Sequence, residues 1–171
     1  MKRLLLLRHA KAVPADGSIA DAARTLAPRG ERDAQIMGER LRARGPRPDL
    51  ILASPAARTL QTAQIVAAAN EYRRDAIAVD TRLYLASPLE ILAAVAGVAR
   101  DVQTLLVVGH NPGLSELAQR LAPGLDDGDL PTCAIVALEE LGDDWANAGA
   151  ARAHLAYYDF PKNPTRPVTN R

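Results

Sequence analysis

Cysteine is nearly missing from this chain. A single one among 171 residues, Cys133, excludes an intrachain disulfide and fits a reducing compartment. Surplus charge is missing as well. Lys and Arg number 21 against 20 Asp and Glu, a net charge of +1, so nothing in the balance favours nucleic acid or an anionic membrane as a partner. No apolar run approaches the roughly 20 residues that cross a bilayer. Lys2-Arg3 ahead of Leu4 to Leu7 imitates a signal peptide, but four leucines fall short of an apolar signal core and charge follows at once. Internal repeats and domain linkers are absent too. What is left, at 48% hydrophobic and 24% charged, is expected to be a soluble cytoplasmic protein without a membrane partner. Its length suits one well-buried domain and not two.

Strand-like and helix-like segments alternate along the chain. Arg3 to Arg8, Leu50 to Ala53 and Thr104 to Val108 are continuous apolar runs of the kind that form central parallel strands. Ala76 to Asp80 is a weaker strand, and Thr132 to Leu138 and Ala153 to Tyr158 are further candidates. Helical spacing aligns Ala34, Met37 and Leu41, then Leu60, Ala63 and Ala67, then Leu114, Leu117, Ala118 and Leu121. Ser54-Pro55, Ser87-Pro88 and Asn111-Pro112 each pair a capping side chain with a proline at the first helical position, and Gly45 closes a helix. The alternation predicts an α/β fold, a three-layer α/β/α arrangement with a mostly parallel central sheet. One domain is expected over residues 1–158. Residues 159–171, with three prolines and few apolar positions, are expected to form a polar, flexible C-terminal tail.

Three of the strands end in unexpected company. "LLLLRHAKA" sets Arg8 and His9 against four leucines, "LILASPAARTLQTA" runs into Ser54 and Arg58, and "TLLVVGHNPG" ends at His110. In open α/β sheets ligands sit beyond the carboxyl ends of the strands, so these polar groups are expected to line one cleft. Arg58 falls in the first turn of its helix, where a cation opposes the macrodipole. A bound anion nearby would reconcile the two. Two arginines offer forked donors that match phosphate oxygens. Two histidines add one group able to be a neutral nucleophile and another able to donate a proton. The set points to phosphoryl transfer through a histidine, without a metal or other cofactor.

At these residues the chain resembles a known family. "LRHAKA" is similar to the Arg-His-Gly signature of the histidine phosphatase superfamily, whose fold is that of phosphoglycerate mutase. "SPAARTLQTA" resembles its Ser-Pro-x-x-Arg-x-x-Gln-Thr-Ala segment, and "VVGHNPG" the segment with its second histidine. Size and "DAARTLAPRG" at residues 21 to 30 are similar to the small SixA-type phosphohistidine phosphatase branch. The resemblance implies that His9 becomes phosphorylated, that Arg8 and Arg58 clamp the phosphoryl oxygens, and that His110 stabilises the same group. Arg24 would be a further anion-facing arginine. It also implies a phosphorylated protein as partner, such as a phosphohistidine-containing transfer domain, and a role in signal transduction. Two departures stand out. Ala10 replaces the usual glycine, and "DTRLYLASPLE" carries no carboxylate at Tyr84 or Leu85, where larger relatives place a glutamate as general acid.

Plainer readings compete at several positions. Glu90, three residues after Ser87, matches a capping box better than a general acid, and Asp80 is a poorer candidate acid. Ser54 reads as an N-cap, although a cap at an anion site can also bind substrate. His154 lies far from the motifs and reads as structural. Cys133 lacks the arginine six positions on that a cysteine-dependent phosphatase needs, since Glu139 stands there; it reads as a small core residue. Asp126, Asp127 and Asp129 beside Gly124 and Gly128 read as a solvated loop. The alternatives to a phosphohistidine phosphatase are a small-molecule phosphomonoesterase or mutase of the same superfamily, and a non-catalytic module for phosphorylated ligands.

Overall fold

The computed structural model describes residues 1–125 and 128–164. Its strands are β1 (Arg3–Arg8), β2 (Leu50–Ala53), β3 (Ala78–Val79), β4 (Thr104–Gly109), β5 (Ile135–Glu139) and β6 (His154–Asp159). They form one sheet in the order β3-β2-β4-β1-β5-β6. The first four strands pair in parallel, whereas β5 runs antiparallel to β1 and β6 antiparallel to β5. The sheet is mixed and mostly parallel, with helices α1 (Pro28–Arg44), α2 (Ala57–Ala69), α3 (Pro88–Ala96) and α4 (Gly113–Leu121) on its two faces.

The leucine run of β1 shows why this sequence folds so. Successive strand residues point to opposite faces. Leu4 and Leu6 join a core with Ile91, Val95, Leu114 and Leu117 of α3 and α4. Leu5 and Leu7 join a second core with Met37, Leu41, Ala63 and Val66 of α1 and α2. A strand buried on both faces has no position for a polar residue until it ends. Each leucine removed from water contributes about 1.5–3 kcal/mol.

Several boundaries differ from expectation. β5 starts only at Ile135, because the backbone at Cys133 is left-handed (φ +62) and the N–H of Ala134 turns back onto the Pro131 carbonyl. The polar tail does not begin at Asp159, which ends β6 and is buried. Its carboxylate takes Arg40 at 3.2 Å and Arg44 at 2.9 Å. Residues 165–171 lie outside the described residues, as do Asp126 and Asp127 of the acidic loop. Of the three expected caps only Ser87 forms one, a capping box closed by Glu90. Helix α2 begins two residues beyond Pro55 with no side-chain cap, and α4 begins after Pro112 likewise uncapped. Gly113 at that start is required sterically: a Cβ there would lie 1.9 Å from the carbonyl oxygen of Ala86.

Candidate active site

Three adjacent parallel strands set the site. Arg8 is level with Gly109 and Ala53 with Val108. The residues that follow, His9, Ser54 and His110, therefore leave the sheet side by side. Backbone bonds hold them there: His9 N–H donates to the Gly109 carbonyl, Ser54 N–H to Val108, and Cys133 N–H to the carbonyl of His9, each at 3.1 Å. The expected convergence of the three strand ends is observed.

His9 is held in one tautomer. Its Nδ1 lies 2.8 Å from the Ala10 carbonyl oxygen, which can only accept, so the ring proton sits on Nδ1 and Nε2 keeps its lone pair. Ala10, a glycine in the family signature, is fully buried without left-handed backbone, so the extra methyl fits. Its N–H donates to Thr62 Oγ1 at 3.0 Å, and Thr62 donates in turn to the Arg58 carbonyl at 2.7 Å. Burial pushes the His9 imidazolium down to about 4, opposed by the Ala10 carbonyl and assisted by the positive charges of Arg58, Arg8 and Arg24. At neutral pH His9 is an uncharged imidazole with a free nitrogen.

His110 faces it, the ring centroids 5.4 Å apart. Its Nε2 is 2.7 Å from Ser54 Oγ and its Nδ1 is 3.3 Å from Arg58 Nη2. Burial lowers its pKa to about 3, reinforced by Arg58, His9 and Arg8 and opposed by Asp21. The side chains of Ser54 and Asn111 are thus committed elsewhere and cap no helix: Ser54 meets His110, while Asn111 donates to the Leu130 carbonyl at 2.9 Å and accepts from Ser115. Arg8 Nη1 donates to that same Leu130 carbonyl at 2.6 Å, so α4 and the loop at 130 orient Arg8 together. The Nε atoms of Arg8 and Arg58 are both buried and have no partner among the described residues. Two fixed guanidiniums with unspent buried donors beside two neutral imidazoles favour an anion over any neutral ligand.

Asp21 belongs to this cluster and sequence reasoning missed it. Its carboxylate accepts from Arg24 Nη2 at 2.8 Å, Arg58 Nη2 at 3.0 Å and Tyr84 Oη at 2.6 Å, and its backbone oxygen accepts from Arg58 Nη1 at 2.8 Å. Arg58 is only 2% exposed, and a buried guanidinium needs a counter-charge. That need becomes visible only in the fold, because the sequence does not show that Arg58 is buried. Hydrogen bonds from Tyr84, Arg24 and Arg58 hold the Asp21 carboxyl far below the usual carboxylate range. The same bond to Asp21 raises the phenol of Tyr84, whose ring stands edge-on to His110 at 5.5 Å. Arg24 is tied to Asp21 and to the Val13 carbonyl. Asp80 is occupied by Arg82, and Glu90 accepts the N–H and hydroxyl of Ser87; neither joins the site. No group of three or more His, Cys, Asp and Glu side chains among the described residues is arranged to hold a metal ion.

Known proteins resemble this chain in sequence and in fold. The model of the histidine phosphatase superfamily (branch 1) matches residues 4–84. The uncharacterized protein Rv1276c of Mycobacterium tuberculosis is 38% identical over 91% of this chain and all of its own length. The solved structure of a candidate phosphohistidine phosphatase SixA from Nakamurella multipartitia is 32% identical. It superimposes with a TM-score of 0.77 over 94% of this chain and 96% of its own. A second, from Agrobacterium tumefaciens, is 30% identical with the same TM-score, covering 92% of this chain and 96% of its own.

Proposed function

The chain belongs to the histidine phosphatase superfamily, and from that premise we propose that this phosphatase works through a phosphohistidine at His9 and acts on protein phosphohistidine. The observation that carries the reading is the state of His9: neutral, locked with its proton on Nδ1, and presenting Nε2 among Arg8, Arg58 and His110. In the first step the Nε2 lone pair attacks phosphorus, the N–P bond forms, and the bond to the leaving group breaks. In the second, water displaces the phosphoryl group from Nε2 and inorganic phosphate leaves. Arg8 and Arg58 bind the non-bridging oxygens through both steps, and His110 supports the charge on the same oxygens. No metal or cofactor enters the scheme. Arg24, fixed by Asp21 and Val13, adds positive charge close to His9. The related SixA proteins support a phosphoprotein partner.

Substrate choice follows from the state of the carboxylate that Arg58 holds. Asp21 is kept strongly ionised by three donors, the wrong direction for a general acid at neutral pH. An alkyl phosphate leaves as a basic alkoxide and needs such an acid, whereas phosphohistidine leaves as an imidazole that takes its proton before the bond breaks. The test compares kcat/KM for a phosphohistidine peptide, an aryl phosphate and a phosphoserine peptide, with chelator present. We expect phosphohistidine to exceed phosphoserine by about 10² to 10⁴, the usual worth of a general acid, with the aryl ester between. Glu90→Gln and Asp80→Asn should leave the order unchanged. Equal efficiencies, with phosphoserine turnover abolished by either substitution, would overturn the reading and move the enzyme to broad-specificity phosphomonoesters.

A further inference from the structure

Ser54 has a place that a helix cap does not explain. It is fully buried, forms no side-chain cap of α2, accepts the Ala56 N–H at 3.4 Å, and sets its oxygen 2.7 Å from Nε2 of His110. The opposite nitrogen, Nδ1, receives Arg58 Nη2 at 3.3 Å. A guanidinium only donates, so Nδ1 carries a lone pair, Nε2 carries the proton, and Ser54 Oγ accepts it. A serine hydroxyl donating to Nε2 would force a proton onto Nδ1 and against the Arg58 N–H. One arrangement alone satisfies both contacts.

We infer that Ser54 is a positioning residue that holds the proton of His110 on Nε2 and so makes Nδ1, beside Arg58, the only ring nitrogen that titrates. The inference rests on reading the cluster as a phosphoryl site. Its consequence is a switch. With no anion present, Nδ1 is the acceptor of an arginine proton. When a phosphoryl dianion enters, a proton from solvent adds to Nδ1, the new N–H donates to a phosphoryl oxygen, and the Arg58 N–H released from the ring donates to the anion as well. Ser54 accepts from Nε2 in both states, so the ring need not rotate.

The groups that set this balance surround the ring from each packed element. Arg8 ends β1 and His9 follows it, Arg58 comes from α2, Asp21 from the loop before α1, and Tyr84 from the segment after β3. Three cationic or cation-forming groups disfavour the proton and one carboxylate favours it, and an added dianion tips the balance toward protonation. This fits the depressed pKa of the unliganded ring.

The experiment is nitrogen-15 NMR of the His110 ring in the full chain at neutral pH, with and without orthovanadate. Wild type should show a protonated Nε2 and bare Nδ1, and vanadate should protonate Nδ1. Ser54→Ala should give mixed tautomers, a weakened vanadate response and about a 10- to 100-fold lower kcat/KM, the loss of one hydrogen bond to a charge-bearing group. Ser54→Thr, which keeps the oxygen, should restore the wild-type tautomer. A wild-type ring with its proton on Nδ1, or one that stays neutral with vanadate bound, would overturn the inference even if Ser54→Ala fails to fold. So would a Ser54→Ala ring with the wild-type spectrum. The tautomer is read independently of turnover: a wild-type ring that behaves as stated beside a His9 that takes no label would remove the proposed reaction and leave the role of Ser54 intact.

Discussion

Two arginine clusters in this molecule meet their donors' needs differently. Beside the C-terminal end of β6, Arg40 and Arg44 converge on the buried carboxylate of Asp159. Arg40 spends further donors on the carbonyls of Phe160, Pro161 and Asn163, and Asn163 adds its amide to the carboxylate. At the end of β1 and in the first turn of α2, Arg8 and Arg58 are also oriented, by the Leu130 carbonyl and by Asp21, but their Nε donors stay buried and without a partner among the described residues. The first cluster is closed and pins the C-terminal segment to α1. The second holds reserve donors and stands beside two neutral histidines. An arginine cluster that satisfies itself is architecture; one that keeps buried donors in reserve has the donors that the proposed phosphoryl site calls for.

Exchanging the guanidinium for a lysine separates the two most sharply. Arg58→Lys keeps the charge but loses the planar fork. Catalytic efficiency should fall by about 10² to 10³, as for loss of one transition-state donor. A value within a few-fold of wild type would remove Arg58 from the site. The second effect is in pH. Protonation of His9 destroys its nucleophilic lone pair, and with its pKa lowered to about 4 that happens only in acid. Corrected for substrate ionisation and for the proton that His110 takes up on binding, kcat/KM should stay level from neutral pH to about pH 5 and fall roughly tenfold per unit below 4. A fall that starts near 6.5, the ordinary histidine value, would mean that the arginines and burial do not act on His9 as described. The smallest effect on turnover belongs to the closed cluster. Asp159→Asn should leave kcat/KM within about twofold while lowering stability by about 1–3 kcal/mol, through arginine donors left unmatched. A large loss of activity there would show that the clusters are coupled.

How much of this was legible in the sequence follows from the kind of signal each residue leaves. Apolar runs ending in Arg8-His9, Ser54 and His110 announce both strands and site, because a doubly buried strand has nowhere else to place a polar side chain. The capping box at Ser87 and Glu90 is local and was readable in full. Ser54 was misread as a cap because its partner, His110, lies 56 residues away and only the β2–β4 register brings them together. Asp21 sits in a loop of ordinary appearance. Its importance appears once Arg58 is known to be buried, which is a tertiary fact. Asp159 looked like the start of a tail because its two arginine partners are on α1, more than 100 positions earlier.

The central claim is that His9 itself takes the phosphoryl group. Mixing the full chain with a radiolabelled phosphohistidine substrate, quenching in alkali within one turnover and mapping the label tests it directly. The account predicts an acid-labile, alkali-stable label on His9. It should be absent from His9→Ala, which should lose on the order of 10⁴-fold or more in turnover yet still bind vanadate through the arginines. An unlabelled His9 during rapid turnover, or a His9→Ala variant that turns over like wild type, would contradict it.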